Sequence, residues 1–244
     1  MTNIWGADWL WCLSKFHVEQ FLSVAADLKP IMHRTRNGVD LDFIKEIEEG
    51  RDAGDHKRDE HLYIWGSRPE RGLDILLQHV WPRILKDVDP KATLLVAGYS
   101  DAGIEIPEHV KMFYKHVDAL LASTPRVERV GYLPKRKWYE FLMKGQAVLY
   151  PTKFPEISCI NAMEAQACGI PIITSNEFAL KETVKDKHNL IDGHPLSEEY
   201  QLAFVSRVAR LLKDKSEYKL TQRLGKDHIL KHYEWKTIAE EWVS

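Results

Sequence analysis

The sequence predicts a doubly wound α/β domain built on a parallel sheet. Three observations carry that expectation. Five short apolar runs recur from His61 onward: HLYIW (61–65), ATLLVAG (92–98), VERVGYL (127–133), QAVLYP (146–151) and IPIIT (170–174). Several are β-branched and nearly continuous in hydrophobicity, which suits strands buried on both faces. Amphipathic stretches fall between them, and strict alternation of strand and helix means βαβ units.

The elements follow in order. Residues 69–86 carry Leu73, Leu76, Leu77, Val80 and Ile84 on one stripe, and 105–122 carry Val110, Phe113, Val117 and Leu120 or Leu121. A short helix is expected over 135–144 and another over about 158–168, starting at Ser158 as N-cap. The end is helical over 197–213 and 216–233, then closes on EWKTIAEEW. The beginning differs: a strand in ADWLWCLS, a helix in KFHVEQFLSVAADL and a strand in KPIMHR precede the turn signal Asn37-Gly38. The charged stretch EIEEGRDAGDHKRDEH reads as a solvated loop or short helix. The expected organisation is therefore a small remnant of a preceding domain over 1–38, a main domain over 39–234 and a terminal helix over 235–244.

Composition narrows the class. The 244 residues are 44% hydrophobic, enough for a core and against disorder. Basic and acidic residues number 34 and 36, a balance that points to neither nucleic acid nor an anionic membrane as main partner. Cys12, Cys159 and Cys168 lack metal-type spacing and read as free thiols of a cytoplasmic protein. No apolar run approaches the ~20 residues that span a bilayer, so membrane contact is at most peripheral.

Three segments carry chemistry. In YPTKFPEISCINAMEAQACGIPIITS a strand ends at Tyr150-Pro151, a loop carries Glu156, and a helix carries Glu164. The helix N-terminus at the carboxyl end of a strand exposes N–H groups near Cys159 and Ile160, where a diphosphate sits well. Glu156 stands where it can accept from sugar hydroxyls; acidic residues also favour helix N-termini for structural reasons. Glu164 sits among Ala162, Met163, Ala165 and Ala167, so a solvated-face reading explains it less easily. In YIWGSRPERGLDILL, Ser67 and Glu70 have capping-box spacing, and Arg68 and Arg71 stand at a strand-to-helix turn. Cations there oppose the dipole unless an anion lies between them. Val130-Gly131-Tyr132-Leu133-Pro134 ends a strand in a sharp turn whose backbone could read a base edge, or could be loop punctuation. Asp40-Leu41-Asp42 and Asp87-Val88-Asp89 have a DxD form better explained by turn chemistry.

These segments together resemble the C-terminal, donor-binding domain of retaining GT-B glycosyltransferases of family 4 (glycosyl transferase group 1). Glu156 and Glu164 match that family's E-x7-E motif, with Ala165 and the Ala167-x-Gly169-x-Pro171 pattern in register. Gly66, Arg68, Arg71 and Gly72 look like its phosphate-binding turn, and Asn37-Gly38-Val39-Asp40 looks like the NGxD signature at the start of the second domain. The resemblance implies a Rossmann-like fold and transfer of a sugar from a nucleoside-diphosphate sugar to a hydroxyl, with retention, no cofactor and no essential metal. It implies Glu156, Arg68 and Arg71 as catalytic, and Gly66, Arg68, Arg71, Leu133, Glu156, Ser158, Cys159, Ile160 and Glu164 as donor-binding. Glu156 would contact the transferred sugar, Glu164 the ribose, and the Leu133 main chain the base. Two departures stand out: Ile157-Ser158-Cys159 replaces the usual glycines, and only the piece from about Asp8 to Arg34 resembles the acceptor-side domain. The acceptor is an unspecified glycan, lipid or protein. Alternatives are a non-catalytic nucleotide-sugar-binding subunit or a truncated glycosyltransferase needing a separate N-terminal half, and, more distantly, a related epimerase or phosphorylase, or an oxidoreductase.

Overall fold

The computed structural model describes residues 6–51, 57–98 and 107–243. Two sheets are present among them, both parallel. The smaller pairs β1 (Leu10–Cys12) with β2 (Met32–Arg34). Between these strands run α1 (Lys15–Val24) and a 3₁₀ segment, Ala26–Ile31.

The larger sheet has six strands: β3 (Leu62–Gly66), β4 (Thr93–Ala97), β5 (Val127–Gly131), β6 (Ala147–Tyr150), β7 (Ile172–Ser175) and β8 (Leu190–Ile191). Their spatial order is β5-β4-β3-β6-β7-β8. The chain builds outward from β3, returns, and builds the other way from β6. The gap between β3 and β6 is therefore the switch point where such sheets bind ligands, at the strand carboxyl ends. All residues of β6 and β7 are buried, as continuous apolar runs require when both faces are covered. The pair β7–β8 was missed in the sequence because LI is only two residues long.

The expected helices form with small adjustments. They are α5 (Glu108–Ser123), α6 (Lys135–Lys144), α7 (Ile160–Ala167), α9 (Glu198–Lys213), α10 (Lys215–His232) and α11 (Trp235–Val243), with a short α8 (Leu180–Thr183) before β8. Residues 105 and 106 of the expected 105–122 helix lie outside the described residues. The stretch expected as one helix over 69–86 is broken into four pieces. A 3₁₀ turn, Pro69–Arg71, is followed by α3 (Leu73–Ile75), a π-helical turn over Leu76–Val80, and α4 (Trp81–Asp87). Pro82 explains the π turn: it has no N–H to give to the preceding turn, and its ring crowds that turn's carbonyl.

The charged stretch from Glu46 opens as a short helix, one of the two forms expected for it. Its first residues finish a real helix, α2 (Leu41–Glu49), which buries Ile44 and Ile47. Asp40 starts it by accepting from the Phe43 N–H at 2.9 Å, so the first DxD pair serves as a helix cap. Residues 52–56 of that stretch lie outside the described residues.

Gly38 and Val39 join the two sheets to the C-terminal helix. The Val39 N–H donates to the Tyr233 carbonyl at 2.7 Å, and a Cβ on Gly38 would lie 2.9 Å from the side chains of Trp235 and Ile238.

Candidate functional site

The carboxyl ends of β3, β4 and β5 and the head of α7 enclose a cavity of about 350 Å³. Gly66, Leu133, Ile160 and Glu164, four of the residues singled out in the sequence, line it. Tyr132, from the turn that also carries Leu133, lines it too; Ala97, Gly98, Lys135, Trp138 and Asn161 complete the wall and had not been singled out. Glycine is required at position 66, because a Cβ there would lie 2.0 Å from the Trp138 ring. The ends of β4 and β5 are drawn together by the Gly98 N–H donating to the Gly131 carbonyl at 3.0 Å. Gly131 makes that turn with φ +70.

Glu164 is 5% exposed, and three donors reach it. Lys135 Nζ and the Tyr139 hydroxyl donate to Oε1 at 2.5 and 3.1 Å, and Trp138 Nε1 donates to Oε2 at 2.8 Å. Burial and the neighbouring carboxylate push the Tyr139 hydroxyl far above its ordinary pKa, so it stays a donor. Lys135 is the replaceable partner, since its side chain is 56% exposed. It belongs to an α6 first turn holding Lys135, Arg136 and Lys137 with no acidic residue, which opposes the helix dipole. That unfavourable pattern was the available sequence signal for Lys135.

A second cluster sits at the switch point. Glu156 is 2% exposed, and its Oε1 accepts from Arg71 Nη1 at 2.8 Å and from the Tyr150 hydroxyl at 2.5 Å. Burial, then the nearby Cys159 and Glu156, raise the Tyr150 pKa well above normal. Burial alone would lower the Arg71 pKa, but Glu156 and Tyr150 outweigh it and hold the guanidinium charged. Arg71 also stacks over the Phe154 ring, 4.4 Å from its centre. Its Nε is buried without a hydrogen-bond partner.

The backbone holds this cluster in place. Gly72, at φ +113, lets the turn after β3 rest on the loop after β6: a Cβ there would lie 2.3 Å from the Pro151 carbonyl oxygen. Ala179 N–H donates to the Glu156 carbonyl at 3.0 Å, and Ser175 Oγ to the Thr152 carbonyl at 2.5 Å.

Two local expectations are corrected. Ser67 and Glu70 form no capping box, because a 3₁₀ turn with Arg68 as its N-cap precedes the helix. Ser67 Oγ instead faces the Tyr150 hydroxyl at 3.5 Å, and Glu70 accepts from Tyr114. Arg68 stays beside Glu70, 3.5 Å away, while Arg71 enters the cluster. Helix α7 starts at Ile160 with Cys159 as N-cap and no side-chain cap, so Ser158 does not begin it. Ser158 Oγ accepts from Asn37 Nδ2 at 3.1 Å, and Ser158 lines a different cavity, shared with Arg36 and His228. Cys159 is buried, and burial together with Glu156 raises its thiol pKa far above normal.

The chain matches the family described as "Glycosyl transferases group 1" over residues 46–229. It belongs to that family. A lipopolysaccharide 1,2-N-acetylglucosaminetransferase from Salmonella typhimurium is 24% identical over 184 residues, covering 74% of this chain and 46% of that protein. A D-inositol 3-phosphate glycosyltransferase from Salinispora tropica is 24% identical over 186 residues, covering 73% and 36%. The chain thus spans less than half the length of these curated relatives. Among solved structures, sucrose-phosphate synthase from Thermosynechococcus elongatus superposes with TM-score 0.73 at 19% identity, covering 97% of this chain and 57% of that one. HepE from Anabaena, in complex with UDP and glucose, gives TM-score 0.72 at 15% identity, covering 97% and 62%. At these identities the superpositions show the fold, which is that of GT-B glycosyltransferase structures. No described helix of this group 1 glycosyltransferase domain is long and apolar enough to cross a membrane.

Proposed function

We propose that this chain is the donor-binding part of a retaining, family 4 glycosyltransferase that moves a sugar from a nucleoside diphosphate to an acceptor hydroxyl. The observation that carries the reading is the Arg71–Glu156 pair at the switch point, with Glu156 buried, Arg71 half-buried and Arg71 Nε unpartnered. A fixed guanidinium with a spare donor beside a helix N-terminus is a cradle for phosphate.

The roles follow from position. Arg71, with Arg68 at the mouth of the same turn, stabilises the departing diphosphate as its charge develops, so no metal is needed for that task. The N–H groups at Cys159 and Ile160 add to it. Glu156, held by Tyr150, orients the transferred sugar through its hydroxyls. Glu164 takes the ribose hydroxyls once Lys135 moves off its carboxylate, and the Tyr132–Leu133 main chain meets the base. The acceptor is a glycan, lipid or protein. Because the chain spans less than half of its curated relatives, a second reading keeps donor binding but assigns transfer to a complex with a separate N-terminal half. Both readings place the protein in the cytoplasm, where nucleotide sugars are made.

Thermal-shift measurements with UDP, GDP, ADP and their common sugar conjugates, confirmed by calorimetry, test the reading. One nucleotide series stabilises the wild type, and Glu164→Gln weakens it about tenfold, the cost of one charge-assisted bond. Wild-type protein that binds none of them, with or without an added acceptor-side domain, refutes it.

A further inference from the structure

A buried polar atom without a hydrogen-bond partner costs free energy, so an orphan on a cavity wall marks a place where a ligand belongs. Among the described residues with such orphan atoms, Asn161 is the one that lines the cavity at the strand ends. It is 8% exposed, and both Nδ2 and Oδ1 lack a partner.

The surroundings make a structural explanation of this side chain difficult. Asn161 is the second residue of α7, where the flanking Ala162, Met163, Ala165 and Ala167 are all buried. Asparagine is a poorer helix former than leucine or alanine, and an apolar side chain there would leave no polar group unsatisfied. Glu164 lies three residues on, so the two side chains share a face of α7. Asn161 therefore stands between the open N–H groups of the helix start and the carboxylate that faces the cavity.

We propose that Asn161 is a donor-binding residue whose carboxamide completes its hydrogen bonds on the nucleotide, at the junction of the ribose and the first phosphate. The inference rests on the donor-binding reading above and adds a residue to it. The chemistry of the two partners matches. A phosphate oxygen accepts from Nδ2, and a ribose hydroxyl donates to Oδ1. Aspartate would offer acceptors only and repel the phosphate; leucine would offer neither contact. The free protein holds the orphaned amide until the nucleotide satisfies it, a local trade of stability for binding.

The test compares wild type, Asn161→Leu and Asn161→Asp by calorimetry and thermal melting. The ligands are the nucleoside, monophosphate and diphosphate of the base that the wild type binds. Asn161→Leu is expected to raise the melting temperature of the nucleotide-free protein by about 2–4 °C, the shift that removal of one unsatisfied group produces in a domain of this size. It is expected to weaken the mono- and diphosphate at least tenfold. Asn161→Asp is expected to weaken both phosphorylated forms more than the nucleoside. Wild-type affinity in Asn161→Leu overturns the proposal while leaving the donor site standing. A Leu variant that melts well below wild type and loses all three ligands equally makes the residue structural, and also overturns it. A wild type that binds none of the ligands removes the donor-binding reading and this inference together.

Discussion

The two sheets of this chain are held together by different physics. In the six-stranded sheet the central strands are sealed on both faces, and Tyr63, Ile64, Trp65, Val148, Leu149 and Tyr150 are all at most 1% exposed. In the two-stranded sheet Cys12 is the one buried strand residue, while Trp9 and Trp11, on the aromatic face, remain 60% and 46% exposed. Two strands alone are marginal, and polar ties supply what apolar burial does not. Both Glu182 oxygens accept from the first free N–H groups of α1, Lys15 and Phe16, at 3.0 Å. Trp242 Nε1 donates to Thr35 Oγ1 at 2.7 Å, and Arg36 pairs with Glu241. The cavity at the strand ends is lined by the six-stranded sheet and its helices, with no residue of the small sheet. Its geometry should therefore depend on close backbone approach, and the small sheet should depend on side-chain ties that can be cut without touching the cavity.

The largest expected effect breaks the first kind of dependence. Gly72→Val places a branched side chain at positive φ against the Pro151 carbonyl, and strain and overpacking together should cost about 3–5 kcal/mol. Chemical denaturation measures it; near-wild-type stability would show that the two loops flanking the switch point do not rest on each other as described. Next comes Glu182→Ala, which uncaps α1 from outside. A loss of about 1–2 kcal/mol is expected, the usual range for a helix cap. Limited proteolysis should show faster cutting within 8–34 while nucleotide affinity stays unchanged. A parallel loss of affinity would mean that the two sheets are coupled.

The smallest effect is a pH dependence. His228 lies in the seam beside Glu182, with its ring nitrogen 3.2 Å from the Glu182 carbonyl. Burial first, then His232, Lys185 and Lys187, lower its pKa in the folded chain against the pull of that carbonyl. The folded state thus prefers the neutral ring, so stability is lost as pH falls below the unfolded value of about 6.5. His228→Gln should flatten the melting temperature between pH 7 and 5; an unchanged slope would assign the acid sensitivity to other groups.

Most of the large sheet was legible because continuous apolar runs leave few alternatives. Glu164 drew attention because a charge in an alanine-rich helix is hard to explain as a solvated face, and the structure buries it. What escaped notice depends on contacts between distant segments. Trp138 lies over Gly66, and Tyr150 joins Arg71 on Glu156, pairings that no local pattern announces. The Ser67–Glu70 spacing misled because Gly72 delays the helix, and Ser158 misled because Asn37 takes its hydroxyl. Asn161 carried no signal at all: its meaning lies in having no partner, which only packing reveals.

The central claim is that Arg71, braced by Glu156, holds a diphosphate. Calorimetric titration of wild type and Arg71→Met with the mono- and diphosphate of the preferred nucleoside tests it most directly. The account predicts that wild type favours the diphosphate, and that Arg71→Met loses about 1.5–3 kcal/mol on the diphosphate and much less on the monophosphate. Equal losses on both forms, or none, would contradict it.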